Sequence, residues 1–418
     1  MTRHALTMLA VATIGLAVLS ETDAATIQAG NCSQSSTQSA INSASTGDTV
    51  SVPAGNCTWT STVTIPSTKR IALQGAGTDV TVITFVPAGG TALNLSKSGT
   101  RVSGFTFREG AILADGSNWR IDHCKLQFSS WSDGITVGSI NTVNGNHPTG
   151  VIDHCIFNNS RVLVIGTNFG LEENGTQHAM WSRPLGLGTN NAVFVENCTF
   201  NGVANSVNAI DANYGGRFVF RYNTLNDIYV EAHSVQGNNR AVRSWEIYNN
   251  TFNQVSKSMW VPMFLRGGTG VVFNNTLTGT WNTAGIALDN VRDCETREVS
   301  GLCNGSSPWD GNQAGQSGYP CRDQIGRSTD SFLWTTSTPY PPQALDPAYA
   351  WSNKHGSSDV LFFQHNNCAN HIQPGRDYFN NAVRPGYTPY TYPHPLVQGG
   401  FSSTLAPPEN LHVVGLAP

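Results

Sequence analysis

Four short apolar runs, VNAIDAN, IYVEAHS, VPMFLRG and AGIALDN, each reach a charged or titratable residue at or near their end: Asp211, His233, Arg266 and Asp289. Alternation along an extended strand puts Ile210, Ala232, Leu265 and Leu288 on one face and those four residues on the other. Parallel strands stack roughly 4.8 Å apart, so neighbours in such a row reach one another or one sugar ring. Acid, imidazole, guanidinium and acid in sequence suit proton transfer beside an anionic group. β-Elimination from a uronate needs its carboxylate neutralised, the adjacent ring proton removed and the leaving oxygen protonated. Arg266 is the candidate clamp, His233 the candidate base and Tyr214, just past the Asp211 run, the candidate acid. Asp211 would orient His233 and Asp289 would fix Arg266, and the base and clamp roles can be exchanged between His233 and Arg266.

Hydrolysis is the competing chemistry. Three rungs separate Asp211 from Asp289, roughly 14 Å along the stack, beyond the roughly 6.5 to 9.5 Å of an inverting carboxylate pair. Glu231, two residues before His233 on the same face, is expected roughly 8 Å from Asp211 and keeps an inverting glycosidase open. A binding protein that uses the same groove without turnover is the third reading.

The elements that must position these residues are legible in a repeated phrase. RIDHCKL, VIDHCIF, VENCTF, FRYNTL, EIYNNTF, FNNTL and QHNNCA align in one column: Cys124, Cys155, Cys198, Asn223, Asn250, Asn275 and Asn367. The steps are 31, 43, 25, 27, 25 and 92 residues, a coil of about 20 to 30 residues per turn with loops inserted in some turns. The fold expected is all-β, a right-handed parallel β-helix. Only 12% of residues are charged, and 42 Gly stand against 5 Met, a composition for many short strands and turns. TQSAINSAS predicts a short helix that caps the first coil, covering apolar core and unpaired strand edges. A large insertion is expected at about 293–351, followed by a C-terminal cap, within one domain spanning 26–400.

Insertions follow the charged row at Thr167–Thr189, Ala212–Arg217, Ser234–Arg243 and from Val291 onward, and loops at one corner wall one face. They carry Arg217, Arg240, Arg243 and Arg322, candidate substrate-binding residues in a chain of net charge −4. A locally basic cleft favours an anionic polysaccharide. No nucleic acid and no membrane partner is expected, and the protein is expected to act as a monomer.

The first 25 residues have a basic tip, an apolar run from Ala5 to Leu19 and small residues near Ala24, the pattern of a secretory leader. Residues 401–418 read as a Pro-rich tail. Cys124, Cys155 and Cys198 share the column with Asn and are expected buried and reduced. Cys32 and Cys57 bracket the N-terminal cap, where a disulfide is an option, and the pairing of Cys294, Cys303, Cys321 and Cys368 stays open. The repeated Asp122-His123 and Asp153-His154 could suggest a metal site, but repetition beside the cysteine column also explains them.

GDTVSVPAGNCTW followed by IALQGAGTDVTVI, together with the NNTF-type turns, resembles the secreted pectate-lyase-like β-helix superfamily over most of residues 26–400. That resemblance implies the fold and a carbohydrate ligand, but the superfamily holds lyases, hydrolases, epimerases and non-catalytic proteins. Many β-helix lyases employ calcium. Here His233 and Arg266 part Asp211 from Asp289, so the row itself makes a poor calcium cage.

Overall fold

The computed structural model describes residues 24–95, 99–138, 148–166, 185–202, 207–234, 241–256, 258–290, 323–328, 344–365 and 371–399. Residues 1–23 and 400–418, with Arg240, Arg322, Asn367, Cys294, Cys303, Cys321 and Cys368, lie outside these residues, and with them nearly all of the expected leader and the whole expected tail. Short apolar runs ended by Gly, Asn or Asp cannot continue as strands, so the chain turns after each and the strands stack between coils. Twelve strands form one sheet, from Thr26–Gln28 through Arg217–Arg221 and Ser244–Tyr248 to Tyr378–Asn380, with parallel neighbours throughout. A second, 19-stranded sheet holds the strands on the far side of the turn. This is a parallel β-helix.

The turn between the two sheets is built the same way in each coil. His123, His154, Asn197, Tyr222, Asn249, Asn274 and Ser352 hold φ between 50° and 56°, the left-handed conformation that reverses the chain sharply. The next residue in each coil points inward, giving the stack Cys124, Cys155, Cys198, Asn223, Asn250, Asn275 and Asn353, all at 2% exposure or less. Asn353, not Asn367, follows Asn275: its Oδ1 accepts the Asn275 N–H at 3.1 Å and its Nδ2 donates to the Val272 carbonyl at 2.9 Å. The reason is local, since Ser352 at φ 55° supplies the turn that the ladder requires. Asn250 repeats the pattern, accepting from Asn223 N at 2.9 Å and donating to the Phe220 carbonyl at 2.8 Å. Asn250→Ala orphans both buried groups and is expected to lower unfolding free energy by about 2–4 kcal/mol. A urea midpoint unchanged from wild type would contradict the ladder's role.

The capping helix is Gln34–Ser43; the Ser33 hydroxyl accepts the Ser36 N–H at its start, and Thr37, Ala40 and Ile41 are buried. Cys32 and Cys57 form a disulfide beside it, while Cys124, Cys155 and Cys198 are buried free thiols. Burial pushes the Cys124 and Cys155 thiols well up from their ordinary value. Ala348–Trp351, expected within the insertion, is a regular strand between Thr269–Phe273 and Tyr378–Asn380.

The outer face of the 12-stranded sheet carries a row of Asp122, Asp153, Glu196, Arg221, Tyr248, Phe273 and Trp351 in register. The chain from Tyr387 to Val397 straps across it. Arg221 donates to the carbonyls of Tyr390 at 2.7 Å and Thr391 at 2.9 Å, and Glu196 accepts the His394 N–H at 2.9 Å. Arg120, paired with Asp153 at 2.8 Å, also donates to the Leu396 and Val397 carbonyls. His123 and His154 stack at 5.0 Å, each with Nδ1 2.8 Å from its own aspartate, a consequence of the repeat.

Glu246 sits under the strap, accepting from Gly188 N at 2.9 Å and from the Tyr387 hydroxyl. Burial raises its carboxyl, against the pull of Tyr387, Gly188 and two arginines, to about 7, above the ordinary carboxylate range. A carboxyl raised in the folded state contributes stability below its unfolded value that is lost as pH rises through its folded value. Wild type is therefore expected to lose more melting temperature than Glu246→Ala between about pH 5 and about pH 8. Equal losses would remove Glu246 as the source.

Candidate active site

The charged cluster lies on the outer face of the second sheet, on strands Asn208–Asn213, Tyr229–Ala232, Met263–Leu265 and Ile286–Leu288. Their inward residues form two apolar rows, Ile210, Val230, Met263 and Ile286, then Ala212, Ala232, Leu265 and Leu288, all with 0% exposure. Register corrects the single outward row. Ile210 pairs with Val230, and Glu231 with Phe264, so Asp211 stands in the row of Glu231 and Phe264. Asn213 occupies the place before His233, Arg266 and Asp289. The runs looked alignable by their ends, but Asn208–Asn213 continues two residues past Asp211 whereas Tyr229–Ala232 stops before His233. In the strand before, Leu163 pairs with Asp211 and Ile165 with Asn213. Ile165 therefore shares the outward row of Asn213.

Although the rows are offset, the side chains meet. Asp211 Oδ2 lies 3.1 Å from His233 Nδ1 and 3.1 Å from Arg161 Nη1. Asp211 Oδ1 accepts the Ala212 N–H at 2.8 Å. Glu231 Oε1 pairs with Arg266 Nη2, and its Oε2 accepts from Asn208 Nδ2 at 2.5 Å and from the Tyr229 hydroxyl at 3.2 Å. The same Arg266 Nη2 is 2.8 Å from His233 Nδ1 and 3.2 Å from Nε2. Arg266 Nε is buried with no hydrogen-bond partner among the described residues. One oxygen each of Asp211 and Glu231 and one nitrogen of His233 lie within 4.8 Å of one another, far inside the roughly 8 Å expected between the two acids from strand spacing.

Arg161, Asn208 and Tyr229 went unread in the sequence. Arg161 lies in the middle of the strand Ile156–Ile165, at the opposite end of RVLVIGT from the charged row; it also pairs with Asp133 at 2.6 Å and lies 4.4 Å over the Trp131 ring. A bulge between Asn208 and Ile210 sets Asn208 opposite Tyr229, an irregularity that alternation does not foretell.

Electrostatics divides the roles. Burial would raise the Asp211 carboxyl, but His233, Arg161 and Arg266 outweigh it and hold it at about 2. It is a fixed anion at any ordinary pH. Burial and the Asp211 charge push the Tyr214 phenol up to about 12, so it keeps its proton until a stronger base develops. Tyr214 follows the Asp211 strand at φ 51°.

Asp289 is fully buried, with Oδ2 3.0 Å from His365 Nδ1 and Oδ1 accepting the Asn290 N–H at 2.6 Å. Arg217 and Arg243 are 1% and 0% exposed, and Arg217 Nη1 donates to the Leu185 carbonyl at 3.1 Å. Buried in this way they hold chain in place and do not present charge to a ligand. Tyr349 and Trp351 likewise pack on the coil, Trp351 stacking on Phe273 at 4.4 Å.

Asp211, Glu231 and His233 are the group that could hold a metal among the described residues. They do not fit calcium, which takes 6–8 oxygen ligands, because the set offers one nitrogen and two carboxylates already bound to guanidinium groups.

A parallel β-helix with imidazole, two guanidinium groups and two carboxylates converging on one outer face is the class of molecule defined. No known family and no curated protein matches the chain. Among solved structures it is similar to ORF18 of Geobacillus virus E2, at 12% identity and TM-score 0.39, over 61% of this chain and 57% of that one. It is also similar to an alginate lyase from Paenibacillus sp. str. FPU-7, at 17% identity and TM-score 0.28, over 62% of this chain and 97% of that one. A third likeness is to the catalytic domain of a GH87 α-1,3-glucanase, at 11% identity and TM-score 0.33, over 89% and 70% of the two chains. The chain thus spans little more than half the length of the viral protein.

Proposed function

We propose that the protein is an exported, pectate-lyase-like enzyme that cleaves a uronate-containing polysaccharide by β-elimination. One observation carries the reading: His233 is held by a fixed anion, Asp211, while Arg266 stands within reach of the same imidazole. With its proton on Nδ1, given to Asp211, His233 turns the Nε2 lone pair outward, and Arg266 Nη2 is 3.2 Å from it. A substrate carboxylate competes for the Arg266 guanidinium and frees Nε2 to act as base. Nε2 takes the ring proton next to the carboxylate. That electron pair forms the ring double bond as the bond to the leaving oxygen breaks, and the Tyr214 phenol protonates that oxygen. Glu231, held by Asn208 and Tyr229, fixes Arg266.

The same geometry disfavours an inverting hydrolase. Asp211, held at about 2, is a poor proton donor, and the two carboxylates, with oxygens within 4.8 Å, stand closer than the roughly 6.5 to 9.5 Å of an inverting pair. Export is supported by the leader-like N-terminus and by the Cys32–Cys57 disulfide.

The test is incubation with polygalacturonate, alginate and neutral glycans while ultraviolet absorbance and reducing ends are followed. Absorbance with new reducing ends is expected on one acidic polymer. Reducing ends without absorbance would replace elimination with hydrolysis, and binding without either product would leave a carbohydrate-binding protein.

A further inference from the structure

On the same sheet face, beginning beside Arg266, whose Cζ lies 5.0 Å from the Phe264 ring, stands a second constellation that takes no part in the proposed proton transfers. Outward alternation continues the row of His233, Arg266 and Asp289 to His365, because Leu288 pairs with Gln364. His365 is 31% exposed at its side chain and held by the fully buried Asp289. Around it, Trp260 lies with its centroid 4.9 Å from the imidazole and Phe264 at 5.6 Å, the two rings meeting edge to face at 4.9 Å. Trp260, Phe264 and His365 are all partly exposed.

An apolar patch alone would explain two aromatic rings. It does not explain an imidazole at the surface whose Nδ1 is held 3.0 Å from the buried Asp289 Oδ2. Asp289 fixes which ring nitrogen of His365 faces outward, so the rings present an apolar platform with one polar atom set at its edge. Sugar rings offer the matching pair, an apolar C–H face and polar groups around the rim, and binding sites of this kind combine aromatic walls with few placed polar groups.

We infer that Trp260, Phe264 and the Asp289-held His365 form a distal saccharide subsite, occupied by a sugar of the same acidic chain that reacts at His233. The inference rests on reading the groove as a polysaccharide site. Three rungs, roughly 14 Å, separate His365 from His233, so a chain laid along the coil axis reaches both and a disaccharide at His233 does not. Trp260 and His365 thereby set the length of chain that the protein prefers.

The test uses calorimetry on the His233→Ala protein, which removes turnover, with hexagalacturonate and digalacturonate and the corresponding alginate oligomers as probes. Adding Trp260→Ala is expected to weaken hexamer binding about tenfold and to leave dimer binding unchanged. His365→Ala is expected to act in the same direction, and His365→Gln, which retains a donor toward Asp289, to restore part of the loss. Equal effects on dimer and hexamer, or none, would overturn the subsite while leaving the His233 chemistry intact. No binding of any uronate oligomer by the parent protein would overturn the saccharide reading of the groove and the subsite with it. Trp260→Phe, with an unchanged melting temperature, separates the loss of the platform from misfolding.

Discussion

His233→Ala is expected to lower kcat on the accepted acidic polysaccharide by roughly 10²- to 10⁴-fold, the usual contribution of a positioned proton-transfer group. The loss should fall on kcat more than on KM, because Arg161 and Arg266, which attract the anionic chain, are retained. Folding should survive: His233 lies beyond its strand, with a side chain 18% exposed, and Asp211 keeps Arg161 at 3.1 Å. Tyr214→Phe should lower kcat in the same way without changing the acid limb of the pH profile, since the phenol is protonated up to about 12. Full activity of His233→Ala would sink the assignment of the base. A drop confined to KM would make His233 a binding group and move the base to Arg266.

The second large effect is structural. Arg221 and Glu196 are an ion pair with no exposed side-chain surface, Nε at 2.7 Å and Nη2 at 2.6 Å both reaching Glu196 Oε2. Arg221→Ala leaves a carboxylate buried without its cation, a change that costs about 3–5 kcal/mol. It also strips donors from the Tyr390 and Thr391 carbonyls, so the strap should loosen with the pair. Urea unfolding should report the stability loss, and amide exchange should rise between Tyr390 and Val397. A stability loss with strap exchange unchanged would show that the strap is held by its aromatic contacts, such as Tyr392 on Tyr222 at 3.7 Å.

The coil was legible because its turn phrase repeats almost residue by residue, and alternation then set most of the inward faces correctly. Asn353 escaped because its phrase, WSNKHG, lacks the apolar residue that stands two places after the column in the other phrases, and follows a long insertion. The site was half legible. Asp211, His233, Arg266 and Glu231 do converge, but pairing register is a property of two strands, and strand ends in one chain do not report it. That is why Asp211 belongs to the Glu231 row and Asp289 is found bound to His365. Arg217 and Arg243 were misjudged because a charge at a loop end says nothing about which way it points.

The thiol column has one more use. In the unfolded chain Cys124, Cys155 and Cys198 are ordinary nucleophiles amid other cysteines. Stacking the coils withdraws them, to 1% exposure each and with Cys124 and Cys155 shifted away from thiolate. Closure of these three coils is therefore also the event that ends their competition for disulfide partners. Quenched alkylation during refolding should read it as a clock, one sulfur per coil, and show whether the solenoid winds from its capped end or from its middle.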